Sequence, residues 1–172
     1  MFGVTNDPGL PKGTLYRDLA ASLESLLAGE SDALANLANA SALLAQGLER
    51  INWCGFYLLR GEELVLGPFQ GKTACVRIPV GKGVCGTAAA RQETLVVPDV
   101  NAFPGHIACD AASRSEIVVP MIENGVLRGV LDVDSPHLDR FDDEDRRGLE
   151  RFVGALVPLV KWELLQPGRS SG

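Results

Sequence analysis

The chain predicts an α+β fold, an antiparallel sheet of about six strands flanked by α-helices. Apolar residues recur at helical spacing before Gly47 and again after Asp142, while the segments between them alternate and are broken by tight turns. Helix, helix, strands, helix, strands, helix is the order of such a fold. At 172 residues, 46% hydrophobic and 22% charged, the chain suits a single domain that buries its core without disulfides or metal.

The elements follow in order. Residues 1–13 are rich in Gly, Pro and Asp and read as a leader before a domain spanning 14–165. From Thr14 to Ala28, Leu15, Leu19, Leu23, Leu26 and Leu27 form a helical stripe. Ser31 opens a second helix carrying Leu34, Leu37 and Leu44. The stretch INWCGFYLLRGEELVLGPF then alternates, breaks at Arg60-Gly61 and resumes as a second strand. VRIPV is a short strand that Cys75 precedes directly and is taken to begin. Gly81-Lys82-Gly83 leads into a short helix, VCGTAAARQ, and TLVVPDV forms another strand. Residues 101–114 are a loop containing His106 and Cys109.

IVVPMI and VLRGVLDVD flank Asn124-Gly125, a strong hairpin signal. The last helix starts near Asp142 with an acidic first turn that suits its dipole. Pro158 falls within its apolar stripe and must kink or end it. QPGRSSG, residues 166–172, reads as a flexible tail.

A net charge of −6 argues against a nucleic-acid partner, which would require a basic face. No apolar run approaches the ~20 residues of a membrane helix, and no secretory signal is recognisable. A cytoplasmic location is the default expectation, where structural disulfides are disfavoured. A homodimer is left open.

Two clusters carry potential chemistry. Asp132 and Asp134 lie two apart and share one strand face. A three-residue loop with a bulge at Gly125 sets Glu116 opposite Asp132 and gathers Ile117, Val119, Met121, Leu127, Leu131 and Val133 on the core face. Three crowded acids raise at least one pKa, so one carboxyl is available as a proton donor; the competing reading is a solvated acidic rim.

The second cluster is the cysteines. Cys54 alternates within its strand and reads as a packed small hydrophobe. Cys85 falls in the first turn of the short helix, where the dipole favours thiolate. No two cysteines have the close spacing of a zinc site, so no metal and no bound cofactor is expected. A lone loop histidine such as His106 is more often exposed than a ligand.

Cys75, Cys85 ten residues on (85−75) and Cys109 twenty-four further (109−85) resemble the cysteine pattern of the free methionine-(R)-sulfoxide reductases, which are stand-alone GAF domains. INWCGFYLL, GKGVCGTAA, HIACDAASRSEIVVP and GVLDVDSP also resemble that family, over roughly residues 14–165. The resemblance implies Cys109 as the catalytic thiol, Cys75 as the resolving one and Cys85 as an accessory third. It implies that Glu116, Asp132 and Asp134 hold the sulfoxide oxygen and that Trp53 and Tyr57 enclose the sulfur end. It further implies free methionine sulfoxide as substrate and thioredoxin, or a similar dithiol, as reductant. Cys54 departs from the small non-thiol residue common in the family. A ligand-binding regulatory GAF domain and a thiol redox sensor without turnover are the rival expectations.

Overall fold

The computed structural model describes residues 9–106 and 111–165. Its six-stranded antiparallel sheet comprises β1 (Trp53–Arg60), β2 (Glu63–Gly71), β3 (Arg77–Pro79), β4 (Leu95–Val97), β5 (Ser115–Glu123) and β6 (Val126–Ser135), in the order β3-β2-β1-β6-β5-β4. Four helices accompany it: α1 (Lys12–Leu27), α2 (Ala33–Gly47), α3 (Gly83–Arg91) and α4 (Asp143–Leu156).

Strand alternation divides the sheet into two unlike faces. Cys54, Phe56 and Leu58 of β1 point to one side, with Ile117, Val119 and Met121 of β5 and Leu131 and Val133 of β6. The leucine stripes of α1 and α2 and the stripe Leu149, Phe152, Val153 and Leu156 of α4 cover that side. The other side presents Trp53, Tyr57, Val118 and Val130, and is covered by α3 through Val84, Cys85, Ala88 and Ala89. The long helices thus make the main core, while the short helix roofs a thinner layer.

Helix ends follow local chemistry. Asp32 caps α2 by accepting from the backbone of Ala35. Asp142 caps α4 in a reciprocal capping box with Asp145. Pro158 ends α4 at Leu156, after which Val157–Leu159 form a 3-10 turn.

The β5–β6 hairpin departs from the expected register. Asn124 and Gly125, with φ of 48° and 79°, make a two-residue turn that pairs Glu123 with Val126 and Ile122 with Leu127. The extra residue comes later: Met121 pairs with Gly129, which leaves Arg128 as a bulge. Glu116 therefore faces Asp134, and Val118 faces Asp132. The shift is two residues from expectation, so every residue beyond the bulge keeps its face. Leu127, before the bulge, does not, and it packs with the pocket-side layer instead. Another small correction concerns Cys75, which precedes β3 in the loop after β2 and does not begin a strand.

Candidate active site

A cavity of about 40 Å³ lies between the sheet and α3, lined by Trp53, Tyr57, Cys85, Glu116, Asp132 and Asp134 among others. Three adjacent strands supply all of these except Cys85, which comes from α3. Trp53 pairs with Asp134, Gly55 with Asp132, and Glu116 with Asp134 on the far side. Gly55 is confined to glycine, because a Cβ there would meet the Phe69 Cβ at 2.3 Å. The position beside Asp132 on β1 thus carries no side chain.

The acids are withdrawn from water. Glu116 and Asp132 are each 6% exposed, while Asp134 is half-buried. Among the described residues, no basic side chain forms an ion pair with Glu116 or Asp132. Burial, reinforced by the charges of Asp132 and Asp134, drives the Glu116 carboxyl well above the ordinary range. Burial also raises Asp132 to about 6, against hydrogen bonds with Cys85 and Glu116 that pull it down. The two carboxyls share a hydrogen bond and titrate together, so the pair holds its proton to higher pH than an ordinary carboxyl does. Asp132 Oδ1 is buried and has no hydrogen-bond partner among the described residues.

Cys85 joins this pair. Its thiol donates to Glu116 Oε1 at 3.7 Å. The helix position favours thiolate in isolation, but burial and the charges of Asp132, Glu116 and Asp134 push its pKa well up. Cys85 is a protonated donor here. The dipole of a short helix is outweighed by desolvation next to two acids.

Trp53 and Tyr57 stack with ring centroids 5.9 Å apart and form one wall, extended by Phe69 at 5.2 Å from Trp53. Their polar tips reach the loop after β2. Trp53 Nε1 donates to the Lys72 carbonyl at 3.1 Å, and Tyr57 Oη donates to the Cys75 carbonyl at 2.9 Å. The aromatic wall therefore also moors the segment bearing Cys75, which is disulfide-bonded.

This arrangement matches known proteins over nearly its whole length. Residues 18–157 match the GAF domain family. The free methionine-R-sulfoxide reductase of Escherichia coli is 57% identical over 149 residues, covering 87% of this chain and 90% of that protein. The chain belongs to the free methionine-(R)-sulfoxide reductase family. The Saccharomyces cerevisiae enzyme of the same name is 47% identical over 158 residues, covering 87% of this chain and 88% of that protein. An X-ray structure of the Neisseria meningitidis free methionine-R-sulfoxide reductase in complex with its substrate superposes with a TM-score of 0.88 at 45% identity, covering 96% of this chain and 99% of that one.

Against the expected reductase site, the structure brings Trp53, Tyr57, Cys85, Glu116, Asp132 and Asp134 around one cavity. Cys75 lies at its margin through the Tyr57 bond, and Cys109 lies outside the described residues. Cys54 sits on the opposite face at 0% exposure, its thiol donating to the Ser41 carbonyl at 3.4 Å and its pKa raised by burial to about 12. Several contributors were not foreseen. Ser113, held by Asn52 Nδ2 at 3.1 Å, lines the cavity, and Phe69 lengthens its aromatic wall. Phe69's alternation with Gly67 on β2 was the available signal; Ser113 had none. His106, expected to be exposed, is half-buried and lines the cavity, and burial lowers its pKa.

Proposed function

We propose that this protein reduces free L-methionine (R)-sulfoxide to L-methionine, with Cys109 as nucleophile and Cys75 as resolving thiol. One observation carries the reading: a buried carboxyl pair that shares a hydrogen bond and, among the described residues, has no cation beside it and no partner for one Asp132 oxygen, next to an aromatic-walled cavity. A sulfoxide has what such a pair requires, a strongly accepting oxygen on an otherwise apolar head.

The chemistry balances as follows. The Cys109 thiolate attacks the sulfoxide sulfur while the Glu116–Asp132 pair supplies the proton to its oxygen. The attack joins the two sulfurs, and the S–O bond breaks with the oxygen leaving as hydroxide. Hydroxide then adds to the Cys109 sulfur, the sulfur–sulfur bond breaks, methionine leaves, and Cys109 is left as the sulfenic acid. The Cys75 thiol condenses with it, releasing water and forming a disulfide. A thioredoxin-type dithiol then reopens that bond by exchange and is itself oxidised. Cys85 keeps Glu116 oriented by its hydrogen bond and takes no electrons, and Asp134 supports the pair electrostatically. The aromatic wall receives the S-methyl end, and its bonds to the Lys72 and Cys75 carbonyls hold the resolving segment near the reaction. The disulfide-bonded state of Cys75 supports its redox role.

The test is consumption of the two free methionine sulfoxide epimers with a recycling dithiol, beside a peptide carrying the sulfoxide internally. Turnover of the free (R) epimer alone is expected, abolished in Cys109→Ser. Cys75→Ser should still complete one stoichiometric reduction but lose dithiol-driven cycling. Near-normal turnover by Cys109→Ser would overturn the proposal.

A further inference from the structure

Cys85, Glu116 and Asp132 come from three separate elements, yet the Cys85 sulfur and one carboxylate oxygen from each acid all lie within 4.8 Å of one another, and all three residues are buried. Cys85 Sγ stands 3.7 Å from Glu116 Oε1. A tetrahedral zinc ion bound by a thiolate at ~2.3 Å and a carboxylate oxygen at ~2.0 Å holds those two donors about 3.5 Å apart. The spacing is therefore that of two ligands on one ion. Separately, Asp132 lines the cavity, and its buried Oδ1 has no hydrogen-bond partner among the described residues, so a third donor has an oxygen to spare.

We propose that Cys85, Glu116 and Asp132 form a binding site for a thiophilic divalent cation such as Zn²⁺, with the cavity as the open fourth position. One sulfur among two carboxylates selects against Mg²⁺ and Ca²⁺, which take all-oxygen shells. Three protein ligands and one exchangeable position describe an ion that comes and goes, unlike the closed four-ligand sites that hold folds together. Ligation displaces the Cys85 thiol proton and the proton shared by the carboxyls to solvent. It also occupies the oxygens that the catalytic reading assigns to the sulfoxide, so on that reading the cation is a reversible competitive inhibitor. The cation site itself stands without that reading.

The test uses the oxidised full-length protein, in which Cys75 is disulfide-bonded and cannot compete for metal. Co²⁺ serves as the spectroscopic probe. A near-ultraviolet thiolate-to-cobalt charge-transfer band is expected, saturating at one ion per chain and erased by added Zn²⁺. The band should vanish in Cys85→Ser and persist in Cys54→Ser. Asp132→Asn or Glu116→Gln should weaken binding at least about tenfold, which keeps the question decidable if Cys85→Ser does not fold. No band in the parent protein, or a band that survives Cys85→Ser, would overturn the site. Free methionine sulfoxide should raise the apparent Kd for Co²⁺. A normal band that the sulfoxide leaves unmoved would uphold the cation site while removing the shared-site reading.

Discussion

Buried acids sit on both sides of the sheet, and they are treated in opposite ways. Asp145, between α1 and α4, is 1% exposed, and its carboxylate accepts from Lys12 Nζ at 2.7 Å, Tyr16 Oη at 2.7 Å and Arg140 Nη1 at 3.1 Å. It also closes the α4 cap by accepting from the Asp142 backbone at 3.0 Å. Glu116 and Asp132 are nearly as buried, but have each other and a thiol for company. The first acid has its charge neutralised by two cations and serves the fold. The second pair has its carboxyls pushed toward the protonated form, and on the proposed reading it serves chemistry. Burial alone therefore says little about an acid's role; the sign of its neighbours decides.

That contrast can be broken most forcefully at Asp145. Asp145→Ala strands Lys12, Arg140 and the Tyr16 hydroxyl, and loss of one partner of a buried ion pair costs roughly 3–5 kcal/mol. Denaturant midpoints should fall accordingly, while kcat of the folded fraction stays intact. An unchanged midpoint would mean that the network is ornamental.

Next in size is the opposite case. Glu116→Gln or Asp132→Asn should lower kcat by on the order of 10²–10³, the cost of one preorganised donor to a developing oxyanion. The double variant should lose less than the product of the singles, because both acids handle one proton. Activity should also fall at alkaline pH as that proton leaves, since Glu116 is held well above the ordinary carboxyl range. Steady-state kinetics across pH decide this, and singles that raise KM with kcat untouched would reduce the acids to substrate binders.

A smaller effect sharpens the comparison because its sign is reversed. Asp132 titrates at about 6 in the fold against an ordinary 3.8, so ionising it disfavours the native state. The penalty is absent near pH 4, grows as pH rises toward 6, and is full above it. Asp132→Asn removes the penalty, and should stabilise the protein by roughly 1–3 kcal/mol at pH 8 with little change at pH 4. Thermal melts at the two pH values measure the difference; equal shifts at both would contradict the pKa assignment.

The smallest effect separates the two free thiols. Cys54→Ala trims one buried atom from the helix-side core and should cost about 1 kcal/mol of stability with kcat unchanged. Cys85→Ala should leave the melting temperature nearly alone and lower kcat, since Glu116 loses its thiol donor. Identical phenotypes for both would erase the distinction between the faces.

Much of this was legible beforehand, for a local reason. Side chains alternate along any strand, so the spacing of Asp132 and Asp134, of Trp53 and Tyr57, and of Ile117, Val119 and Met121 places each group on one face before any partner is known. The helix start near Asp142 and the break at Pro158 were equally local. The resemblance of the cysteine spacing to a known family supplied the rest of the expected site.

What the chain alone determined, then, is which residues share a face and where helices start and stop, because those depend on neighbours within a few positions. Tertiary structure alone decided which acid faces which, since a two-residue turn at Asn124-Gly125 and a bulge at Arg128 together moved Glu116 from Asp132 to Asp134 while keeping the faces of the residues beyond the bulge. It alone decided that Cys85 stays protonated, against its helix position, because desolvation depends on the sheet that α3 covers. It alone tied Trp53 and Tyr57 to the Cys75 segment through carbonyls about twenty residues away in sequence. Parity is a property of one strand, whereas protonation and mooring arise only where distant strands have excluded water between them.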